Sequence, residues 1–207
     1  MLTITIDTPH GPAAAHLHPV PAPRGALVLG HGAGGSVAAR DLLAVTTAAN
    51  EAGFTVALVE QPYRVAGRRA PPRAPMLDVA WTAVVQHLRR TELGEQPIVV
   101  GGRSSGARVA CRTSAATGAV GVLCLAFPLQ PPPRTGKEAA PSRLPELDEV
   151  VVPVLVVQGE RDPFGVPPAA AGRTVVIVAG DHSLKADLAA VAAATREWLA
   201  GALAPRS

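Results

Sequence analysis

Short runs rich in Val, Leu and Ile recur along this 207-residue chain, and the apolar residues between them fall at helical spacing. Gly25–Gly30 (GALVLG), Phe54–Val59, Pro97–Gly101 (PIVVG), Gly121–Phe127, Val154–Gln158 and Thr174–Val178 each read as a buried strand. Leu42, Val45 and Ala49 mark one apolar helix face, and Leu77, Trp81, Val84 and Leu88 mark a second. Leu184, Leu188, Val191, Trp198 and Leu199 mark a closing helix. Strands that alternate with helices form βαβ units, whose natural outcome is a mostly parallel sheet with helices on both faces. Leu2–Ile6 is read as a first strand and Ala14–His18 as a weak second one forming an antiparallel edge. The expected architecture is therefore α/β, with a sheet of about seven to eight strands. Gln61–Pro75 and Pro128–Pro145 read as irregular Pro-rich loops. Neither flank of these loops has enough strands for a core of its own, so residues 1–207 are read as one domain.

Composition narrows the function. Apolar residues make up 48% of the chain and aromatic residues 3%. The first figure supports a sizeable core; the second is a poor match for proteins that stack nucleic-acid bases on exposed rings, so no nucleic-acid partner is expected. The net charge of +3 is spread over many arginines without a long basic run. The opening MLTITIDTPHG has neither the basic nor the apolar region of a signal peptide. No apolar run approaches the roughly 20 residues of a membrane span, so a cytoplasmic protein without a membrane partner is expected. Cys111 and Cys124 form no disulfide framework and no zinc-type spacing, and are read as buried free thiols. His16 and His18 alternate on one strand without a third ligand, so no metal and no cofactor are expected.

Four strand ends carry the chemistry. Gly102-Arg103-Ser104-Ser105-Gly106 is a G-x-S-x-G between a strand and an Ala-rich helix expected to reach about Thr117. In such an elbow the serine occupies a strained turn, and the residues two before and two after it must lack side chains. Ser104 has glycines at both positions, whereas Ser105 has Arg103 and Ala107, so Ser104 is the nucleophile candidate. Ser105, at the helix start, is placed to offer its backbone N–H to an oxyanion. The glycine-rich turn Gly30-His31-Gly32-Ala33-Gly34-Gly35-Ser36 also follows a buried strand, and Ala33 is the candidate for the second N–H donor. A phosphate loop of the G-K-[ST] type is absent there, and Glu60 is the nearest match to the acid of a dinucleotide site. His31 lies inside this turn and is read as a structural residue that holds the loop by hydrogen bonds. Asp162, in Gln158-Gly159-Glu160-Arg161-Asp162-Pro163, is the candidate acid, with Glu160 as its competitor. His182, in Gly180-Asp181-His182-Ser183, is the candidate base, and Asp181 is read as a possible cap of the helix that follows. Ser, Asp and His occur in the chain order of α/β hydrolases. Arg64, Arg68, Arg69 and Arg73 cluster in the first Pro-rich loop; they are read as solvated surface, with an anionic substrate group as the alternative.

HGAGGS, GGRSSGARVA, LAFPLQPP, QGERDPFG and GDHSL together resemble the small α/β hydrolases of the dienelactone-hydrolase-like group, over about Gly25 to Leu199. More narrowly they resemble the branch with a testis-expressed mammalian protein and the third subunit of the NSL acetyltransferase complex. The resemblance implies an α/β-hydrolase fold and carries the catalytic triad to Ser104, Asp162 and His182. No insertion in the sequence is long enough for a helical lid, so no large lid domain is expected, and Gln61–Pro75 and Pro128–Pro145 are the candidates to cover the site. Dienelactone hydrolases use a cysteine where this chain has Ser104, so their substrate does not follow. The reading is a serine hydrolase acting on a small carboxylester or thioester, with a small molecule as its partner. A non-catalytic interaction module on the same fold is the alternative.

Overall fold

The structure is a computed structural model that describes residues 2–133, 138 and 140–202. Part of the loop expected at Pro128–Pro145 (134–137 and 139) lies outside the described residues. The strands are β1 (Leu2–Thr8), β2 (Gly11–His18), β3 (Gly25–Gly30), β4 (Phe54–Glu60), β5 (Ile98–Arg103), β6 (Gly121–Leu125), β7 (Val154–Gly159) and β8 (Arg173–Val178). They form one sheet in the order β1-β2-β4-β3-β5-β6-β7-β8. The pairs from β4 through β8 are parallel, and β1 and β2 are antiparallel. The helices are α1 (Arg40–Glu51), α2 (Pro62–Val65), α3 (Ala74–Leu88), α4 (Ser105–Thr113), α5 (Leu144–Asp148) and α6 (Leu188–Ala202), with a π-helical turn at Arg89–Leu93 after α3.

The alternation of side chains along each strand divides the core in two. Ala26, Val28, Ile98, Val100, Val122 and Cys124 face α3 and α4, where Trp81, Leu88 and Ala110 meet them. Leu27, Leu29, Val99, Leu123 and Leu155 face α1 and α6, packing on Leu42, Val45, Val191 and Leu199. A sheet covered on both faces needs apolar residues at every position, which explains why β3, β6 and β7 read as continuous runs rather than alternating ones. Cys111 on α4 and Cys124 on β6 are buried and unlinked, with their Sγ atoms 3.5 Å apart.

The structure differs from the sequence reading at several places. The second strand is no weak edge: it begins at Gly11 and lies between β1 and β4. Ala13, Ala15 and Leu17 along it are buried, but two are alanines, so their apolar signal was faint. The first Pro-rich loop holds the single turn α2, started by Pro62, and gives way to α3 already at Ala74. The second holds α5. Helix α4 ends at Thr113, short of Thr117. Leu184 does not belong to the closing helix; it is a buried loop residue with φ +52° that packs on the α1/α6 side. The N-terminus of α6 is capped by Asp187, whose carboxylate accepts the Ala190 N–H, while Asp181 binds Ser183 instead. Among the described residues the long connections after β4 and β6 hold only the short helices α2 and α5 before α3 and β7, and no lid domain. Among the described residues no helix is long and apolar enough to cross a membrane.

Candidate active site

Because β3, β5, β7 and β8 run parallel, the four loops singled out in the sequence leave the sheet at one edge, the C-terminal edge where open α/β sheets place their sites. Ser104 follows β5 at the centre of the sheet and precedes α4 directly. Its φ and ψ are +52° and −108°, a conformation that a non-glycine residue adopts at a cost of about 1–3 kcal/mol. The surrounding structure imposes it: the Ser104 N–H donates to the Leu125 carbonyl at 2.9 Å, so the turn is tied to β6. The flanking glycines have a more specific reason than the turn alone. A Cβ at Gly102 or at Gly106 would each stand 2.5 Å from the Gly30 carbonyl oxygen, so the elbow packs directly against the end of β3.

His182 comes from the far edge of the sheet, in the loop after β8. Gly180, at φ +116°, turns this loop back over Gly159 at the end of β7. The Arg161 N–H then holds the Gly180 carbonyl at 2.9 Å. His182 Nε2 lies 2.9 Å from Ser104 Oγ, and its Nδ1 lies 2.8 Å from Asp162 Oδ2. The Asp162 side chain is fully shielded from solvent. Oδ1 accepts the Phe164 N–H at 2.9 Å, and Oδ2 also accepts from Gln158 Nε2 at 2.8 Å. Glu160, the competing acid, pairs with Arg161 in solvent and has no contact with the imidazole. The ring of Phe164 covers His182 with centroids 4.5 Å apart.

The glycine-rich turn after β3 stands beside the serine, since a Cβ on Gly32 would lie 3.7 Å from Ser104 Cβ. Two residues after β4 support it. The Gln61 backbone N–H donates to His31 Nε2 at 3.1 Å, which leaves the proton on Nδ1, and Nδ1 donates to the Gly32 carbonyl at 2.8 Å. Tyr63 donates its hydroxyl to the Ala33 carbonyl at 2.7 Å, and burial pushes its phenol up to about 12. His31 therefore ties the turn to the residue that follows β4, holding the loop by hydrogen bonds.

The His31 geometry has a pH consequence. Its imidazole is 3% exposed, and burial, the largest influence, holds it below the ordinary histidine value; the Gly32 carbonyl and Glu60 oppose the shift and Arg64 adds to it. A base whose folded pKa lies below its unfolded value, about 6.5, contributes stability that is complete above that value and is lost as pH falls toward the folded pKa. Urea unfolding midpoints of the native chain should therefore fall between about pH 7.5 and 5.5. A His31→Gln variant should start lower at pH 7.5 but show a shallower fall, with the depressed His18 contributing equally to both proteins. Equal slopes would mean that folding does not shift the titration of His31.

Of the four loop arginines, Arg64 alone joins a cavity of about 450 Å³ next to the site, together with Arg40, Arg103, Lys185 and the Gly34–Ser36 turn. Arg68 lines a different pocket, between α2, α3 and the β1–β2 turn. His16 and His18 gain no metal-site partner: His16 Nδ1 meets Thr3 Oγ1 at 3.0 Å and Nε2 lies 3.9 Å from Glu60. Among the described residues no group of three or more His, Cys, Asp or Glu is placed to hold a metal ion. Sequence reasoning missed Gln158, Phe164, Tyr63 and the partners of Arg103. Only the glutamine carried a signal, as a polar residue ending a Val-rich strand.

Residues 23–201 match the family described as Alpha/beta hydrolase domain. The chain belongs to that family. Among solved structures, the α/β-hydrolase chain is similar to a serine hydrolase without a lid from Xanthomonas campestris, with 21% identity and a TM-score of 0.71 over 99% of this chain and 96% of that one. It is also similar to Est1E from Butyrivibrio proteoclasticus, at 17% identity and a TM-score of 0.76 over 98% and 99% of the two chains. A dienelactone hydrolase from Anabaena variabilis gives 17% identity and a TM-score of 0.74 over 95% of each chain. Identities this low carry the fold: an eight-stranded α/β-hydrolase sheet with helices on both faces. Comparison with curated proteins finds no match.

Proposed function

We propose that this α/β hydrolase acts, as a single domain, on a small ester-like substrate, a carboxylester or thioester, through an acyl-enzyme on Ser104. The observation that carries the reading is the continuous hydrogen-bond line from Ser104 Oγ through His182 to Asp162, at 2.9 Å and 2.8 Å, built on a strained elbow. With Nδ1–H held by the Asp162 carboxylate, Nε2 presents a lone pair to Ser104 Oγ. His182 takes the hydroxyl proton as Oγ attacks the carbonyl carbon, and Asp162 stabilises the imidazolium that forms. The same proton passes to the leaving alcohol or thiol, and water repeats the sequence in reverse to free the acid and Ser104. The oxyanion is bound by the backbone N–H groups of Ala33 and Ser105; the Ser104 N–H is already committed to Leu125. Supporting the ester class, a structure of the similar Est1E holds ferulic acid, a carboxylic acid of the kind ester cleavage releases.

The experiment is labelling with a fluorophosphonate probe and mapping of the modified peptide. Covalent attachment at Ser104, prevented by prior boiling, is the expected result. A folded protein that resists the probe and cleaves no activated ester would remove the reading and leave the non-catalytic interaction module.

A further inference from the structure

Arg103 precedes Ser104 in the chain, and its guanidinium meets two loops and the first turn of α1. Nη2 donates to the backbone carbonyl of His182 at 2.9 Å. Nε stands 3.0 Å from Oδ2 of Asp41, in the first turn of α1. Nη1 lies against the glycine-rich turn, where a Cβ on Gly32 would come within 3.1 Å of it. Asp41 is 2% exposed, and burial pushes its carboxyl up while the Arg103 charge opposes that rise. A buried carboxylate needs a counter-charge, so the pair holds both partners in place. The Nε–Oδ2 contact is an ion pair without hydrogen-bond alignment, but the guanidinium is planar, so holding Nε beside Asp41 restricts where Nη2 can point.

That direction matters because of the loop it meets. Between Val178 and Leu188 the chain has no helix or strand, and His182 lies in the middle of it. Leu184 is buried beneath this loop, and Phe164 lies on the imidazole face. The bond from the Arg161 N–H to the Gly180 carbonyl ties the start of the loop to the end of β7. The Arg103 bond acts at His182 itself, joining its carbonyl to the residue bonded to Ser104. A neutral residue at 103 would satisfy the elbow equally well, since the glycine requirement falls on 102 and 106.

We propose that Arg103, anchored by Asp41, is a positioning residue that sets the reach of His182 to Ser104. The inference rests on the serine-hydrolase reading above, and it concerns the histidine backbone rather than the substrate. Productive geometry is demanding: a displacement of about 1 Å costs on the order of a hundredfold in rate.

The test compares Arg103→Met, Arg103→Lys and Asp41→Asn by kcat and KM on one activated ester, by fluorophosphonate labelling rate and by thermal midpoint. Methionine keeps the aliphatic stem and removes both polar contacts. It should lower kcat and the labelling rate by about 10- to 100-fold while KM stays within about twofold. Lysine keeps the charge but cannot serve Asp41 and the His182 carbonyl with a fork, so it should recover part of the loss. Asp41→Asn should act in the same direction more weakly, and adding it to Arg103→Met should cost little more, because the two act as one unit. A lowered thermal midpoint with unchanged kcat and labelling would overturn the proposal and leave a stabilising ion pair. A raised KM at constant kcat would overturn it in favour of substrate binding. If the native protein itself neither labels nor turns over, the serine-hydrolase reading fails instead.

Discussion

Ser104→Ala is expected to abolish ester hydrolysis and fluorophosphonate labelling, lowering kcat by about 10³- to 10⁶-fold, while the protein remains folded. The loss is this large because no second group replaces an attacking oxygen. His182 would still present its lone pair, but the Oγ that lies 2.9 Å from it would be gone. The fold should survive because the elbow is held by backbone and glycine packing: the Ser104 N–H to Leu125 bond and the approach of Gly102 and Gly106 to Gly30 are untouched. Alanine also meets no greater strain at φ +52° than serine does. Ser105→Ala is the matching control. Ser105 is the first residue of α4 and is proposed to act through its backbone N–H, so its variant should keep activity within about tenfold. An inactive Ser105→Ala beside an active Ser104→Ala would reverse the assignment.

Asp162→Asn should lower kcat by about 10³- to 10⁴-fold with substrate binding largely kept. The hydrogen bonds around the carboxylate explain why an isosteric amide fails. Oδ1 accepts from the Phe164 N–H, and Oδ2 accepts from Gln158 and from His182, so every partner is a donor. An asparagine must turn its NH₂ group toward one of them. Facing Phe164, it sets donor against donor in the tight turn that holds residue 162. Facing His182, it makes Nδ1 the acceptor and moves the ring proton to Nε2, which then points an N–H at Ser104 and cannot take its proton. Either way the counter-charge to the imidazolium is gone. Glu160→Gln should cost less than about tenfold, because Glu160 pairs with Arg161 in solvent. Both variants assayed on one activated ester decide the matter. The opposite ranking would move the acid to Glu160.

The sheet and its order of strands and helices were legible because they depend on local pattern. β3 occupies the expected Gly25–Gly30, and the remaining central strands fall within a few residues of the Val-rich runs. The elbow register was also legible, since a positive-φ serine against a neighbouring strand excludes any residue but glycine at 102 and 106. What the sequence determined by itself was thus the succession of buried strands and the glycine positions that side-chain volume enforces. β2 was the weakest of these readings because Ala13 and Ala15 bury little surface.

The tertiary structure decided the rest. Asp162 and Glu160 lie two residues apart and are chemically alike; only the return of the β8 loop over Gly159 brings the imidazole to one and leaves the other in solvent. Leu184 fitted the helical spacing of α6 but turned out to be a loop residue, since burial under a loop and burial on a helix leave the same mark. Gln158 on Asp162, Tyr63 on Ala33, and Arg103 between Asp41 and His182 join residues 4, 30, 62 and 79 positions apart. A polar contact of that kind has no period and no fixed spacing, because its geometry depends on how the folded chain orients the backbones that carry the two groups.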